Sequence, residues 1–309
     1  MSSGDEFTRP ATVAEMLHRF DSFTSAEGAQ SALDYRPDPG DVFIVTPPKC
    51  GTTWMQQIVH GLRSGGSMDF DNINHVVPWI DVAHDYGQDI YADQGSRPHA
   101  FKSHSPLDEL PRGGKYIVVL RDPNDALLST YRFFEGTFFE QGSIDLATFA
   151  REFYTPAAEV PRHTLAMWGR RSDPDVIAFT FENMLADLTR TVEQVAQFIG
   201  TPLDDELRDL VVGQADIGFM KQHESKFDDS VFFDSVRGRM RLPPTTGLSK
   251  VRVGQVGGSR DVVPEEIRRQ MDSAWRADVA PATGLSSYQD LHRYLVHQPA
   301  PLAPRPRYR

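Results

Sequence analysis

The stretch Pro48-Lys49-Cys50-Gly51-Thr52-Thr53-Trp54 combines residue types that hold an anion. Gly51 lets a ligand approach the backbone closely. Consecutive N–H groups around Gly51 to Thr53 form a donor nest when the chain turns there. Thr52 and Thr53 bring hydroxyls to a helix start, where the macrodipole favours negative charge, and Lys49 adds one full positive charge. The lysine precedes the glycine, and no Gly-Lys-Ser/Thr occurs in the loop, so the nucleotide-triphosphate pattern is not matched. Arg121, at the end of a second apolar run, has a planar fork suited to phosphate, and Ser129 follows eight residues later. His104 has the titration range of a general base at neutral pH, ~6.5 when unperturbed. Lys102, two residues earlier on a predicted strand, shares its face. The segment from Ser249 to Arg260 sets Lys250, Arg252 and Arg260 among Gly254, Gly257 and Gly258, the composition of a loop that an anion orders.

Alternating strands and helices must position these residues. Apolar runs predict strands over Asp41–Pro48, His99–His104, Lys115–Pro123 and Asp175–Asn183. Helices are expected near Ala11–Phe20, over Thr52–Arg63, after the Asp122-Pro123 cap, from Leu185 to the Gly200 stop, and near Leu203–Val212, Ile217–His223 and Glu265–Trp275. This order implies an α/β fold: one domain with a central parallel sheet flanked by helices and right-handed crossovers. Ligands of such sheets sit at the carboxyl ends of the strands, where Lys49, His104 and Arg121 all fall. Residues 1–40 read as a peripheral segment, 41–298 as the domain, and the Pro-rich 299–309 as a disordered tail.

With 309 residues, 39% hydrophobic, the chain has material for a large core. The net charge of -11 speaks against a general nucleic-acid or membrane-surface binder, so an anionic ligand needs a local basic cluster. One cysteine, Cys50, excludes an intrachain disulfide and suits a reducing compartment. No apolar run approaches the ~20 residues of a membrane span, and the first ten residues lack a signal-peptide apolar core. A cytoplasmic protein is therefore expected.

Together these motifs resemble the cytosolic-type sulfotransferases that use 3'-phosphoadenosine 5'-phosphosulfate (PAPS). The family signature P-K-[SAC]-G-T-T-W is matched by Pro48 to Trp54, R-D-P-x-D plus a serine by Arg121, Asp122, Pro123, Asp125 and Ser129, and K-T-H-x-P-L by Lys102, Ser103, His104, Pro106 and Leu107. The Y-E-D-M segment appears as Phe181-Glu182-Asn183-Met184, and the glycine-rich R-K-G-x-x-G-x-W-K segment as Arg252-Val253-Gly254, then Gly257 and Arg260. The likeness runs from about Asp41 to Ala277. It implies a P-loop-like sulfotransferase fold, PAPS as donor with 3'-phosphoadenosine 5'-phosphate (PAP) as product, and no metal. It assigns catalysis to His104, Lys49 and Lys102. Donor binding falls to Lys49, Cys50, Gly51, Thr52, Thr53, Trp54, Arg121, Ser129, Phe181, Arg252, Val253 and Gly254.

The departures lie at the adenosine end. Phe181 stands for a tyrosine, Ala215 to Met220 replace T-S-F-x-x-M, Val253 replaces a lysine and Ser259 a tryptophan. The C-terminal dimer motif of the eukaryotic members is not recognisable after Arg260, which leaves a homodimer open. Trp79, Phe133, Phe138 and His163, with Ile80, Tyr86, Phe134 and Phe139, are candidates for an apolar pocket that takes a small-molecule acceptor. Phe227 to Met240 reads as a lid. Two rival readings stand beside this one: a P-loop kinase, which needs the missing Gly-Lys-Ser/Thr, and a non-catalytic nucleotide binder, which has no use for His104.

Overall fold

The computed structural model describes residues 7–244, 250 and 256–297. Four short parallel strands form the centre: β1 Val42–Val45, β2 Ala100–Ser103, β3 Lys115–Leu120 and β4 Val176–Thr180, in the order β2-β1-β3-β4. β1 pairs with both β2 and β3, so its four residues, all fully buried, lie at the sheet centre. Side chains alternate between the two faces. Phe43, Val45, Phe101, Tyr116, Val118 and Leu120 enter one apolar cluster, and Val42, Ile44, Ala100, Ile117 and Val119 enter another. This two-sided burial explains why the strands read as continuous apolar runs. Each fully buried aliphatic or aromatic side chain contributes roughly 1.5–3 kcal/mol relative to exposure.

Local chemistry sets the element ends. The Thr52–Ser64 helix starts at Gly51, whose φ of 104° puts it in the left-handed region. A Cβ there would also meet the Phe181 ring at 3.1 Å. Asp122 caps the Pro123–Phe134 helix by accepting from the N–H of Asn124, and Pro123 occupies the first turn. β1, β3 and β4 each end three residues earlier than the sequence suggests, at Val45, Leu120 and Thr180. Thr180 accepts from the N–H of Asn183, so Phe181–Ala186 is already helical, and Asp187 caps a separate Leu188–Ile199 helix. The segment read as peripheral also enters the core: Val13, Met16, Ala32 and Tyr35 are buried. Among the described residues no helix is long and apolar enough to cross a membrane. Residues 299–309 lie outside the described part.

Candidate active site

Beyond the carboxyl ends of β1, β2 and β3 lies a cavity of about 600 Å³ lined by Lys49, Gly51, Thr52, Thr53, Trp54, His104, Arg121, Ser129 and Phe181, among others. Lys49 has a left-handed backbone (φ 65°) and its ammonium lies 4.2 Å from the Phe133 ring centroid. The Thr46 and Thr52 hydroxyls are 2.5 Å apart, which fixes the loop against the strand it leaves. Arg121 donates to the Lys49 carbonyl at 3.2 Å and stacks its guanidinium on Phe181, 4.3 Å from the ring centroid. Trp54 meets the same ring edge-on at 5.3 Å and donates to the Ala215 carbonyl. Phe181, Ala215, Ile217 and Met220, all in segments that depart from the family pattern, thus form an apolar wall at one end of the cavity.

His104 stands where that end meets the other. Its Nδ1 lies 2.8 Å from the Thr46 carbonyl, which can only accept, so Nδ1 carries the proton and Nε2 is the basic nitrogen. Burial and the neighbouring Lys102 lower its pKa to about 3. The ring is therefore neutral at physiological pH. Asp81 holds this corner: it accepts from the His104 N–H, the Ser103 hydroxyl and the Trp79 indole, each at 2.7 Å. Trp79 in turn packs edge-on against the His104 ring at 4.9 Å.

The far end is aromatic. Trp79, Phe133, Phe134 and Phe138 line it as expected, joined by Phe20 and Phe23 from the N-terminal segment and Phe232 and Phe233 from the Ser230–Val236 helix. Phe232 sits 4.9 Å from Phe23 and 4.7 Å from Trp79, centroid to centroid.

Several expectations need correction. Cys50 turns its thiol into the core, and burial raises its pKa; its N–H donates back to the Pro47 carbonyl at 3.3 Å. It packs the loop from beneath and gives the nest nothing. His163 does not line the cavity: its ring is fully buried and its Nδ1 donates to the Glu159 carbonyl one helical turn back. Ile80, Tyr86 and Phe139 are likewise outside the lining. Lys102 does not line the cavity: its side chain is 1% exposed, and its ammonium sits between Asp229, 3.4 Å away, and the Trp79 ring, near enough to His104 to lower its pKa. Arg252, Val253 and Gly254 lie outside the described residues. Their neighbours are anchored by Asp125, which accepts from the N–H groups of Gly257 at 2.7 Å and Ser259 at 3.0 Å. Asp125 belongs to the R-D-P-x-D motif, so a signal existed. Asp81 and Asp229 carried none, since each matters through distant partners.

A family model for the sulfotransferase domain matches residues 39–289. Sulfotransferase 4A1 of Mus musculus is 32% identical over 194 residues, covering 57% of this chain and 65% of that protein. The 3-alpha-hydroxysteroid sulfotransferase of Cavia porcellus is 30% identical over 199 residues, 60% of this chain and 67% of that protein. The alignment with the sulfotransferase 4A1 relative thus spans about 65% of its length. Among solved structures, mouse sulfotransferase SULT7A1 complexed with PAP superposes with a TM-score of 0.65 at 18% identity, covering 89% of this chain and 95% of that one. Retinol dehydratase in complex with androsterone and PAP gives 0.64 at 19% identity, covering 82% and 84%. These structures share the fold, and the extent of the family match shows that the chain belongs to the sulfotransferase domain family.

Proposed function

We propose that this protein transfers a sulfonate group from PAPS to a hydroxyl or amine of a small, largely apolar acceptor. One observation carries the reading: a cationic, glycine-started helix terminus and a neutral histidine with its basic nitrogen defined open into a single cavity with an aromatic far end. The residues present fit the donor. Lys49, Thr52, Thr53 and Ser129 offer charge and hydroxyls to its phosphates, Arg121 offers a fork already braced on Phe181, and Trp54 with Phe181 forms a wall for a base. When bound, PAPS supplies a sulfonate carried on a 5'-phosphate leaving group.

The protein's own work is then electrostatic and positional. Lys49, Thr52 and Thr53 stabilise the negative charge that grows on the phosphate oxygen as the S–O bond breaks. His104 Nε2 takes the proton from the acceptor as the new bond to sulfur forms. Its neutrality leaves that lone pair available, and the Thr46 carbonyl stabilises the imidazolium that results. The aromatic end holds the acceptor's apolar body and excludes water. A cytoplasmic location accords with the relative named cytosolic sulfotransferase 17 of Arabidopsis thaliana. The test is incubation with PAPS and a panel of simple phenols and alkyl alcohols. A sulfonated acceptor with stoichiometric PAP is expected; transfer of phosphate from ATP with magnesium, and none from PAPS, would overturn the reading.

A further inference from the structure

Three of the chain's six lysines gather about one carboxylate. Asp229 is paired with Lys102 at 3.4 Å and, more closely, with Lys250, and Lys49 adds its field from the anion loop. Asp229 stands at the N-cap of the Ser230–Val236 helix, yet its side chain makes no capping bond. Asp228 takes the N–H and hydroxyl of Ser230 instead. The Asp229 carboxylate is thereby turned toward the lysines, at the edge of the cavity that His104 lines.

Lys102 needs such a partner. Its side chain is 1% exposed, and apart from Asp229 its ammonium lies 4.6 Å from the Trp79 ring centroid. An ammonium so far from water sheds its proton unless an anion stands beside it. Other groups facing the pair are His104 beyond β2, Tyr86 from the Ala83–Tyr86 turn, and Lys250; Asp81 lies behind Trp79, holding its indole. Of these, Lys250 opposes a charged Lys102, so among the described residues Asp229 is the anion in contact that favours it.

We propose that Asp229 is a positioning residue that keeps Lys102 charged and fixed beside His104, so that the Lys102 ammonium is in place when the sulfonate moves to the acceptor. The inference rests on the sulfotransferase reading above. Burial lowers the pKa of Lys102 and Asp229 offsets part of that, so the charge of Lys102 depends on that one carboxylate. Asp229 itself is pushed up by burial, but Lys102 and Lys250 outweigh this and hold it below the ordinary carboxylate range. It therefore stays ionised at any pH where the protein works. Removing its charge moves Lys102 toward the neutral amine.

The experiment compares wild type, Asp229→Asn and Asp229→Glu. PAP affinity is measured first by calorimetry, then single-turnover transfer from saturating PAPS to a phenol across pH 5.5–9. If wild type binds no PAP and transfers nothing, the sulfotransferase reading fails and the inference with it. If wild type is active, Asp229→Asn decides the inference alone. The alkaline fall in its rate should move at least about one pH unit lower, as removal of a contacting charge warrants. The deficit should approach tenfold or more on the alkaline side and shrink on acidification, while Asp229→Glu should restore the wild-type profile. PAP binding within about threefold of wild type would show that the asparagine variant is folded. A profile of unchanged shape, lowered equally at every pH, would reduce Asp229 to a structural role and overturn the proposal. An asparagine variant that fails to fold leaves Asp229→Glu and Lys102→Met to decide. Lys102→Met removes the group in question, so its rate should lack the alkaline fall; a fall that persists with the wild-type midpoint would overturn the proposal equally.

Discussion

The two ends of the cavity are built in opposite ways. The end proposed to hold the donor comes from short contiguous stretches at the ends of β1 and β3: the loop Pro48 to Trp54 and the run Arg121 to Ser129. The aromatic end, proposed to take the acceptor, is assembled from side chains far apart in the chain: Phe20 and Phe23, Trp79, Phe133 and Phe138, Phe232 and Phe233. Backbone geometry does the work at the first end, and backbone geometry is local. Gly51 is required by its left-handed φ, and Asp122 and Pro123 by the cap they form. Van der Waals shape does the work at the second, and any large apolar residue at a given point serves it. One end can thus be read from spacing, while the other exists only after folding.

Substitutions should separate the ends. The largest effect is expected at their junction. His104→Ala should slow the chemical step by ~10²–10⁴-fold, the usual share of general acid–base catalysis, and leave PAP binding nearly unchanged. The loss should be smaller for an acidic phenol than for an alkyl alcohol. Equal losses for both acceptors, by single-turnover kinetics, would remove the histidine from proton transfer. Next in size, Arg121→Ala should weaken PAP binding by ~2–3 kcal/mol, the cost of a charge-assisted fork to phosphate, with acceptor KM unaltered. Affinity for adenosine 5'-phosphosulfate, which lacks the 3'-phosphate, should change far less. Because Arg121 also donates to the Lys49 carbonyl, equal losses for both nucleotides would mean that it acts by bracing the loop.

A smaller effect should arise at the aromatic end. Phe232→Ala removes a ring packed on Phe23 and Trp79 and should raise acceptor KM by about tenfold, the value of one aromatic contact. Donor affinity should stay within twofold; a comparable loss there would show that the two ends are not independent.

Much of the donor end was legible. The strand order along the chain, the helix starts at Gly51 and Asp122, and the convergence of Lys49, His104 and Arg121 all follow from motif spacing and parallel topology. The sequence puts Phe181 on a strand because Val176 to Phe181 is apolar throughout apart from Thr180; the Thr180 cap, a single side-chain hydrogen bond, decides otherwise. His163 looked like a pocket residue because a histidine among aromatics has two uses, and only the turn of its helix shows which face it occupies. Strand spacing puts Lys102 on the face of His104 but cannot show where its ammonium ends, since Asp229 lies 127 residues away. Asp81 was invisible for the same reason.

The smallest expected effect concerns the fold. His60, His104 and His163 are all buried and neutral, with pKa values lowered by burial to about 4, 3 and 4. In the unfolded chain each takes a proton near the ordinary ~6.5, so the unfolded state binds more protons below that pH and stability falls as pH drops from about 6.5 toward 4. Glu159 acts the other way: burial raises it to about 7, so it favours the fold as pH falls toward its ordinary range. The lowered histidines, His99 among them, outnumber the raised carboxyls Glu159 and Asp122, so the melting temperature should be lower by several degrees at pH 5 than at pH 7, measured by calorimetry. A flat profile would mean that these rings gain solvent or partners in solution.

The central claim is that the loop at Lys49 to Thr53 holds the phosphate of a 3'-phosphoadenosine nucleotide and not a triphosphate. Isothermal calorimetry of the purified protein with PAP, and separately with ATP plus magnesium, tests it most directly. PAP should bind with a 1:1 stoichiometry and at least about 100-fold more tightly than ATP, and Arg121→Ala should erase most of that difference. Tighter binding of ATP with magnesium, or no binding of PAP, would contradict it.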